Sequence, residues 1–282
     1  MQKRSASRLR EAGLALRARR ELRGLSCRQL ADLTPWAQAM ISQWELGKRP
    51  IKPETAAYLL GLCKTSMPEA NRVLELLEPP SDLYWVRPGF SKLADPIKSL
   101  TIQENMAEAM YCFDPMWIPG LLQIEGYARA MFEDESRYSQ EKIDLLVASR
   151  LDRQQLLQRP TPPRCMFFIH ERTLRTTVGS YEIMHDQLHN LLHSFQHCAI
   201  RVVPEASTVA RFQGAPFRIM EFADGPALVY TETYAANLFI EDRPAVEAFY
   251  NVVACLEQTA LAEGQSREWL IQLADEYERM RE

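Results

Sequence analysis

Glycine is scarce in this chain, with 11 in 282 residues, and no apolar run approaches the roughly 20 residues of a bilayer-spanning helix. Collagen-like repeats and a membrane-spanning segment therefore find no support. Six cysteines (Cys27, Cys63, Cys112, Cys165, Cys198 and Cys255) are scattered without a C-x-x-C pair, which excludes a zinc finger and disfavours a disulfide scaffold. They read as reduced and mostly buried. The start, Met1-Gln2-Lys3-Arg4, runs into charged sequence rather than the apolar core of a signal peptide, so a cytoplasmic protein is expected. No G-x-S-x-G, P-loop or H-E-x-x-H motif is present. Neither an enzyme nor a cofactor is expected.

What is present is a globular composition, long enough for two domains of ordinary size. The formal net charge of −4 hides a division. Residues 1 to 52 hold 12 Lys and Arg against 4 acidic groups, a head at +8 that leaves −12 on the remainder. A basic head on an acidic body is expected where one part meets a polyanion and the other avoids it.

Through residue 78 the periodicity is helical. Leu9, Ala12 and Leu16 mark a first helix ending near Gly24, and Ser26 caps a second with Leu30, Ala31 and Leu33 on its apolar side. Thr34-Pro35 breaks that helix. A third, from about Ala37 to Leu46, ends at Gly47; a fourth runs from Pro53 to Cys63, and Pro68 opens a fifth reaching Leu77. Pro79-Pro80-Ser81 cannot continue a helix, so the domain border is placed there, giving domains 1–78 and 79–282.

Beyond the border the pattern is mixed. Helices are expected over Thr101–Tyr111, Leu121–Phe132, Tyr138–Gln158, Tyr181–Gln196, Pro244–Ala262 and Ser266–Met280. Strands are expected over Cys165–His170, Ile200–Val203, Phe217–Phe222 and Ala227–Thr231.

In the head, Leu25-Ser26-x-x-x-Leu30-Ala31-x-Leu33 followed by Ile41-Ser42-x-x-Glu45-x-Gly47-Lys48-Arg49-Pro50 supplies two short helices with an apolar junction. A small Ala31 lets them approach closely, and Glu45 is placed to pair with an arginine of the first helix, Arg17 being the candidate. The stretch Leu9 to Leu77 resembles the five-helix helix-turn-helix domain of the phage Cro/repressor, or xenobiotic-response-element, family. The resemblance implies that the third helix reads the major groove, with Gln38, Ala39, Ser42 and Gln43 toward base edges. It implies phosphate contacts from Arg28, Gln29, Lys48 and Arg49. Three positions depart from the family pattern: Pro35 stands at the turn where Gly is usual, Ala37 where Ser or Thr caps the third helix, and Cys27 where a polar residue touches phosphate.

The body carries Ile118-Pro119-Gly120-Leu121-Leu122-Gln123, Tyr127-Ala128-Arg129, Arg150-Leu151-x-Arg153-Gln154, Glu171-x-x-Leu174-Arg175-x-x-Val178-Gly179, Gln187-Leu188-x-x-Leu191 and Arg201-Val202-Val203-Pro204. These runs are similar to the C-terminal regulatory domain of actinobacterial WhiJ-like regulators. That resemblance implies transcriptional control of development or specialised metabolism, often beside a small partner protein in an antitoxin-like arrangement. The resulting fold class is an α-helical N-terminal helix-turn-helix domain of five helices plus a larger mixed α+β C-terminal domain.

Within the body, Tyr84, Trp85, Phe90, Tyr111, Phe113, Met116 and Trp117 form an aromatic and Met-rich set that reads either as core or as the lining of an effector pocket. Ile118-Pro119-Gly120 looks like a helix entry able to hold an anion, and Arg150 and Arg153 lie three apart on one helix face. Trp85, Tyr111, Trp117, Gln123, Arg150 and Arg153 are therefore the candidate effector or partner site. Ion pairs of the two arginines with Glu125 or Glu171 are the simpler account. His185, His189, His193 and His197 recur every fourth residue on the face opposite Met184, Leu188, Leu191 and Phe195. With Glu182 such a stripe can bind a divalent metal or sense pH, but a solvated or subunit-contact face is simpler and no metal site is assigned.

The expected function is a sequence-specific transcriptional regulator that binds double-stranded DNA as a homodimer, because one head reads only a half-site. The alternative is an antitoxin-like interaction protein that sequesters a small partner and autoregulates its promoter. No membrane partner is expected.

Overall fold

A computed structural model of the chain describes residues 5–78, 84–88, 96–134, 138–207, 216–233 and 236–281. The Pro79-Pro80-Ser81 border and Phe90 lie outside the described residues. The N-terminal region is helical throughout: α1 (Ala6–Leu22), α2 (Cys27–Asp32), α3 (Gln38–Glu45), α4 (Pro53–Leu62) and α5 (Met67–Leu77). Their starts follow the sequence chemistry. Ser26 and Gln29 make a reciprocal capping box on α2, and Pro53 takes the first turn of α4, where its missing N–H costs nothing. Ala12, Leu16, Leu30, Ile41, Leu59, Leu60 and Val73 share one core. Leu33 is not part of it: α2 ends at Asp32, and Leu33 is 54% exposed.

The C-terminal region is built on one seven-stranded sheet. Its strands are β1 (Tyr84–Pro88), β2 (Ala109–Asp114), β3 (Arg164–His170), β4 (Ala199–Val203), β5 (Phe217–Glu221), β6 (Leu228–Glu232) and β7 (Ala236–Ile240). They lie in the order β1-β7-β6-β5-β2-β3-β4. The β2, β3 and β4 pairs are parallel and the others antiparallel. One face packs under α7 (Glu125–Asp134), α8 (Gln140–Gln154), the short α9 (Glu171–Arg175) that follows β3, α10 (Tyr181–Ser194) and α12 (Glu263–Arg281). The other packs under α11 (Arg243–Thr259). Strand β3 is apolar from Cys165 to Ile169 because both its faces are covered, Phe167 and Ile169 against one layer and Phe168 against the other. The outer edge of β4 is sealed by the α11–α12 connection, where Leu261 N–H donates to Val202 O (2.9 Å) and Val202 N–H donates to Ser266 Oγ (3.0 Å).

Several boundaries differ from the sequence expectation. The helix expected over Thr101–Tyr111 is α6 (Pro96–Met106) followed by strand β2, whose Met110 and Cys112 face one layer while Phe113 faces the other. The helix expected from Leu121 begins with a single 3-10 turn, Gly120–Leu122, and α7 starts at Glu125. The C-terminal end of the helix expected to Gln158 tightens after α8 into a 3-10 turn, Gln155–Gln158. Strands β1, β2 and β7 have no counterpart among the strands expected from the sequence.

The two regions touch through the N-terminal half of α1 and α6. Arg10 Nε donates to Gln103 Oε1 (3.0 Å), Gln103 Nε2 donates to Ser7 O (3.1 Å), and Ser7 N–H donates to Glu241 Oε1 (2.7 Å). Trp85, stacked on Phe239 at 4.0 Å between ring centroids, donates its indole N–H to Ser7 Oγ (2.9 Å). Arg10 lies over the Phe222 ring at 3.6 Å, and burial lowers its guanidinium to about 10.

Candidate nucleic-acid interface

The third helix is held from behind by an ion pair that the spacing alone misassigns. Arg20, not Arg17, grips Glu45: Nε donates to Oε1 at 2.6 Å and Nη2 to Oε2 at 2.7 Å, while Nη1 reaches Leu25 O at 2.7 Å. Both side chains are buried. Arg17 is exposed and occupied by Glu21, one turn along the same helix, at 2.8 Å. The reason is geometric, since Arg20 lies on the inward side of α1 that faces α3 and Arg17 does not.

Close approach of α1 to α3 depends on Gly13. A Cβ there would lie 2.4 Å from the Trp44 carbonyl oxygen. At the end of α3, Gly47 has φ +66° and its Cβ position falls 2.6 Å from Arg10 Cα, so glycine is required twice over. Lys48 N–H and Arg49 N–H both donate to Gln43 O, which closes the helix and sets the basic loop at its end.

Two of the departures, Cys27 and Pro35, have local contacts of their own, and the third, Ala37, leaves α3 without a side-chain cap. Cys27 Sγ donates to Gln38 O (3.6 Å), which ties α2 to the start of α3. Thr34 Oγ1 donates to Ala31 O (3.1 Å) and accepts from Trp36 N–H (3.3 Å), shaping the turn around Pro35. Trp36 packs edge-on against Trp44 and Tyr58.

Gln38, Ala39 and Gln43 are exposed and Ser42 is half-buried along α3; Arg28, Gln29, Lys48 and Arg49 are exposed around it. Gln29 Oε1 accepts the Ser26 N–H (2.8 Å), which commits its acceptor to the cap and leaves its amide donor. Lys48 Nζ is 2.7 Å from Asp224 Oδ2, on the turn between β5 and β6.

The residues of the candidate effector site are dispersed. Gln123 and Arg150 meet, Arg150 Nη1 donating to Gln123 Oε1 at 2.6 Å, and Gln123 Nε2 donates to Ile118 O at 2.6 Å. Burial lowers Arg150 to about 10. Trp117 packs at the margin of the same core, Trp85 lies at the contact with α1, and Tyr111 is on the opposite face of the sheet against Tyr250. The simpler account named the wrong carboxylates. Arg153 pairs with Glu104, whereas Glu125 pairs with Arg129 and Glu171 with Arg175.

Glu104, Arg153 and Arg218 form a buried triad that sequence reasoning missed. Arg153 makes two hydrogen bonds to Glu104, 3.0 and 2.8 Å, and Arg218 Nη1 makes a third. Burial alone would raise the Glu104 carboxyl, but the two guanidiniums outweigh it and hold the group below the usual carboxylate range.

Of the histidine stripe, His189, His193 and His197 are exposed, while His185 is half-buried beside Glu278 (3.2 Å) and His189 (3.1 Å). Among the described residues no group of three His, Cys, Asp or Glu is arranged to hold a metal. No helix among them is long and apolar enough to cross a membrane.

The helical region with α2, turn and α3 in place coincides with a match to a helix-turn-helix domain family over residues 11–73. A second match, to a family described as a domain of unknown function (DUF5753), covers residues 97–272, from α6 into α12. The chain belongs to the DUF5753 family. In this DUF5753 protein the N-terminal domain is a helix-turn-helix domain, the architecture of a DNA-binding regulator, and the C-terminal domain is the mixed sheet with its helices. A solved structure described as TrmBL2, an archaeal chromatin protein with a novel mode of DNA binding, is similar at 15% identity and a TM-score of 0.30; the likeness covers 84% of this chain and 88% of that one. No curated protein matches the chain.

Proposed function

We propose that this protein is a sequence-specific, DNA-binding transcriptional regulator of the WhiJ-like type. In this reading α3 enters the major groove, paired heads read two half-sites, and the C-terminal domain dimerises and senses an effector or partner. It acts in the cytoplasm and carries out no catalysis. The observation that carries the reading is the exposed row Gln38, Ala39 and Gln43 on a short helix braced from behind by Arg20–Glu45 and ringed by Arg28, Lys48 and Arg49.

Selection of bound fragments from genomic DNA by the purified protein should return one pseudo-palindromic operator. On that operator, Gln43→Ala is expected to cost about 1–3 kcal/mol and to relax specificity at one base pair. Arg49→Ala should weaken all sequences alike and reduce the slope of log K against log salt by about 0.9. Unchanged affinity in both variants would mean that α3 is not the reading helix.

Asp224 competes with phosphate for Lys48 in this reading, since the pair is exposed and its members are 2.7 Å apart. Asp224→Ala should therefore tighten operator binding a few-fold, about 1 kcal/mol at most for an exposed pair, and steepen the salt slope by up to about 0.9. The gain should vanish in a Lys48→Ala background. If it persists there, Asp224 acts only as a diffuse negative charge.

The net −12 of residues 53–282 supports a second reading, in which the acidic domain sequesters a small partner protein and DNA binding serves autoregulation. Copurification of a small protein from the native host, lost when the C-terminal domain alone is altered, would favour it.

A further inference from the structure

We propose that the groove between α6 and α8 binds a small organic anion with an apolar part, and that its occupant acts on the helix-turn-helix domain through α6. The groove is open, about 560 Å³, a size suited to a small molecule. One wall is a single face of α6, where Lys98, Thr101, Ile102 and Asn105 recur at helical spacing. The other comes from α8 and the 3-10 turn after it. Arg159 closes one end by donating to Asn105 Oδ1 at 2.7 Å.

The charge of the lining fixes the sign of the ligand. The cations on the lining, Lys98, Arg153 and Arg159, outnumber its one acid, Asp152. Arg153 bonds the buried Glu104 through Nε and Nη2, so the exposed Arg159, whose partner Asn105 is neutral, is the cation that an occupant meets. Half-buried Ile102 and buried Leu156 supply the apolar floor. A metal cation or a basic peptide meets the wrong field here, and no aromatic side chain lines the groove to stack a sugar.

Helix α6 has two other faces, and they explain how an occupant would be felt. Leu100 and Glu104 point into the C-terminal domain, while Ser99 and Gln103 bond to α1: Ser99 Oγ to Glu11 Oε1 (3.2 Å), and Gln103 to Arg10 and Ser7. The junction they form is incompletely satisfied. Arg10 Nη2 and Glu241 Oε2 are buried there without a hydrogen-bond partner, which makes this contact less costly to rearrange than a fully paired one. Movement of α6 against α8 is thereby passed to the helix that braces α3.

The sensing role rests on the proposed function, but the site does not, and the test separates them. The full chain is titrated with 1-anilinonaphthalene-8-sulfonate, an aromatic anion, by fluorescence without DNA. One saturable site per chain is expected, weakened about fivefold or more by Arg159→Gln and tightened by a similar factor by Asp152→Asn, the worth of one charge at about 4 Å in water. Opposite shifts from two exposed positions cannot come from unfolding. Absence of a saturable site, or wild-type binding in both variants, overturns the proposal. The same dye should then change operator affinity of the wild type at concentrations where Arg159→Gln does not respond. If the dye responds to both variants but the chain binds no DNA, the DNA reading falls and the site stands. If the chain binds its operator and the dye ignores both variants, the groove proposal alone falls.

Discussion

Replacing Glu104 with alanine is expected to destabilise the C-terminal domain by about 3–5 kcal/mol, the cost of leaving a buried charge without its partner. Two guanidiniums converge on this carboxylate, which is 1% exposed, and one of them, Arg218, already has its Nε buried without a partner. Removing Glu104 leaves both cations facing each other across the space between α6, α8 and β5. Urea unfolding of the full chain should show the loss as a lower midpoint of the C-terminal transition. Glu108→Ala, two residues past the end of α6 and exposed, should stay within about 0.5 kcal/mol. A second variant tests whether charge imbalance is the cause. Glu104→Leu combined with Arg153→Met and Arg218→Met removes all three charges at similar volume and should be more stable than Glu104→Ala alone. If the triple variant is the less stable, the triad contributes through its hydrogen-bond geometry rather than through charge balance.

The pairing within that triad was not legible in the sequence. Glu104 lies 49 residues from Arg153 and 114 from Arg218 along the chain, and no local pattern distinguishes it from the other acids of the C-terminal domain. Arg153 did stand out, on spacing with Arg150, but its partner could not be named without the fold. What local chemistry decides was readable: the Ser26–Gln29 capping box, Pro53 in the first turn of α4, and Gly24 and Gly47 with positive φ at helix ends. The buried strands β3 and β4 announced themselves as short runs rich in apolar and β-branched residues. Strand β2 did not, because Ala109-Met110-Tyr111-Cys112-Phe113 fits a helix as well as a strand. Its state is set by pairing on both sides, with β3 and β5. Strands β1 and β7 are five residues each and find one another only across the chain, Trp85 opposite Phe239. The junction between domains is illegible for the same reason, since Ser7 and Glu241 are 234 residues apart.

Within the helix-turn-helix domain the second large effect is expected at Arg20 and Glu45. Glu45→Ala leaves the Arg20 guanidinium buried, at 8% side-chain exposure, with Leu25 O at 2.7 Å and the half-exposed Glu21 carboxylate no nearer than 3.6 Å to receive it, and should cost about 3–5 kcal/mol. Arg20→Ala should cost a similar amount from the other side. Arg17→Ala is the informative contrast, because Arg17 and Glu21 are half exposed and such pairs contribute about 0.3–0.5 kcal/mol. Urea unfolding of the three variants decides which arginine braces α3. Glu45→Gln keeps the shape and one acceptor, so it should fall between wild type and Glu45→Ala. The consequence for DNA follows from position rather than contact: Glu45 is at the last turn of α3, facing away from Gln38, Ala39 and Gln43, so it touches no base in the proposed complex. Loosening it lets α3 rotate on the Gly13 crossing, and operator affinity should drop for Glu45→Gln under conditions where the domain remains folded. If Glu45→Gln is measurably less stable yet binds its operator as tightly as wild type, the pair serves the fold alone and the orientation of α3 is set by the Trp36–Trp44 contact and the Gly47 turn.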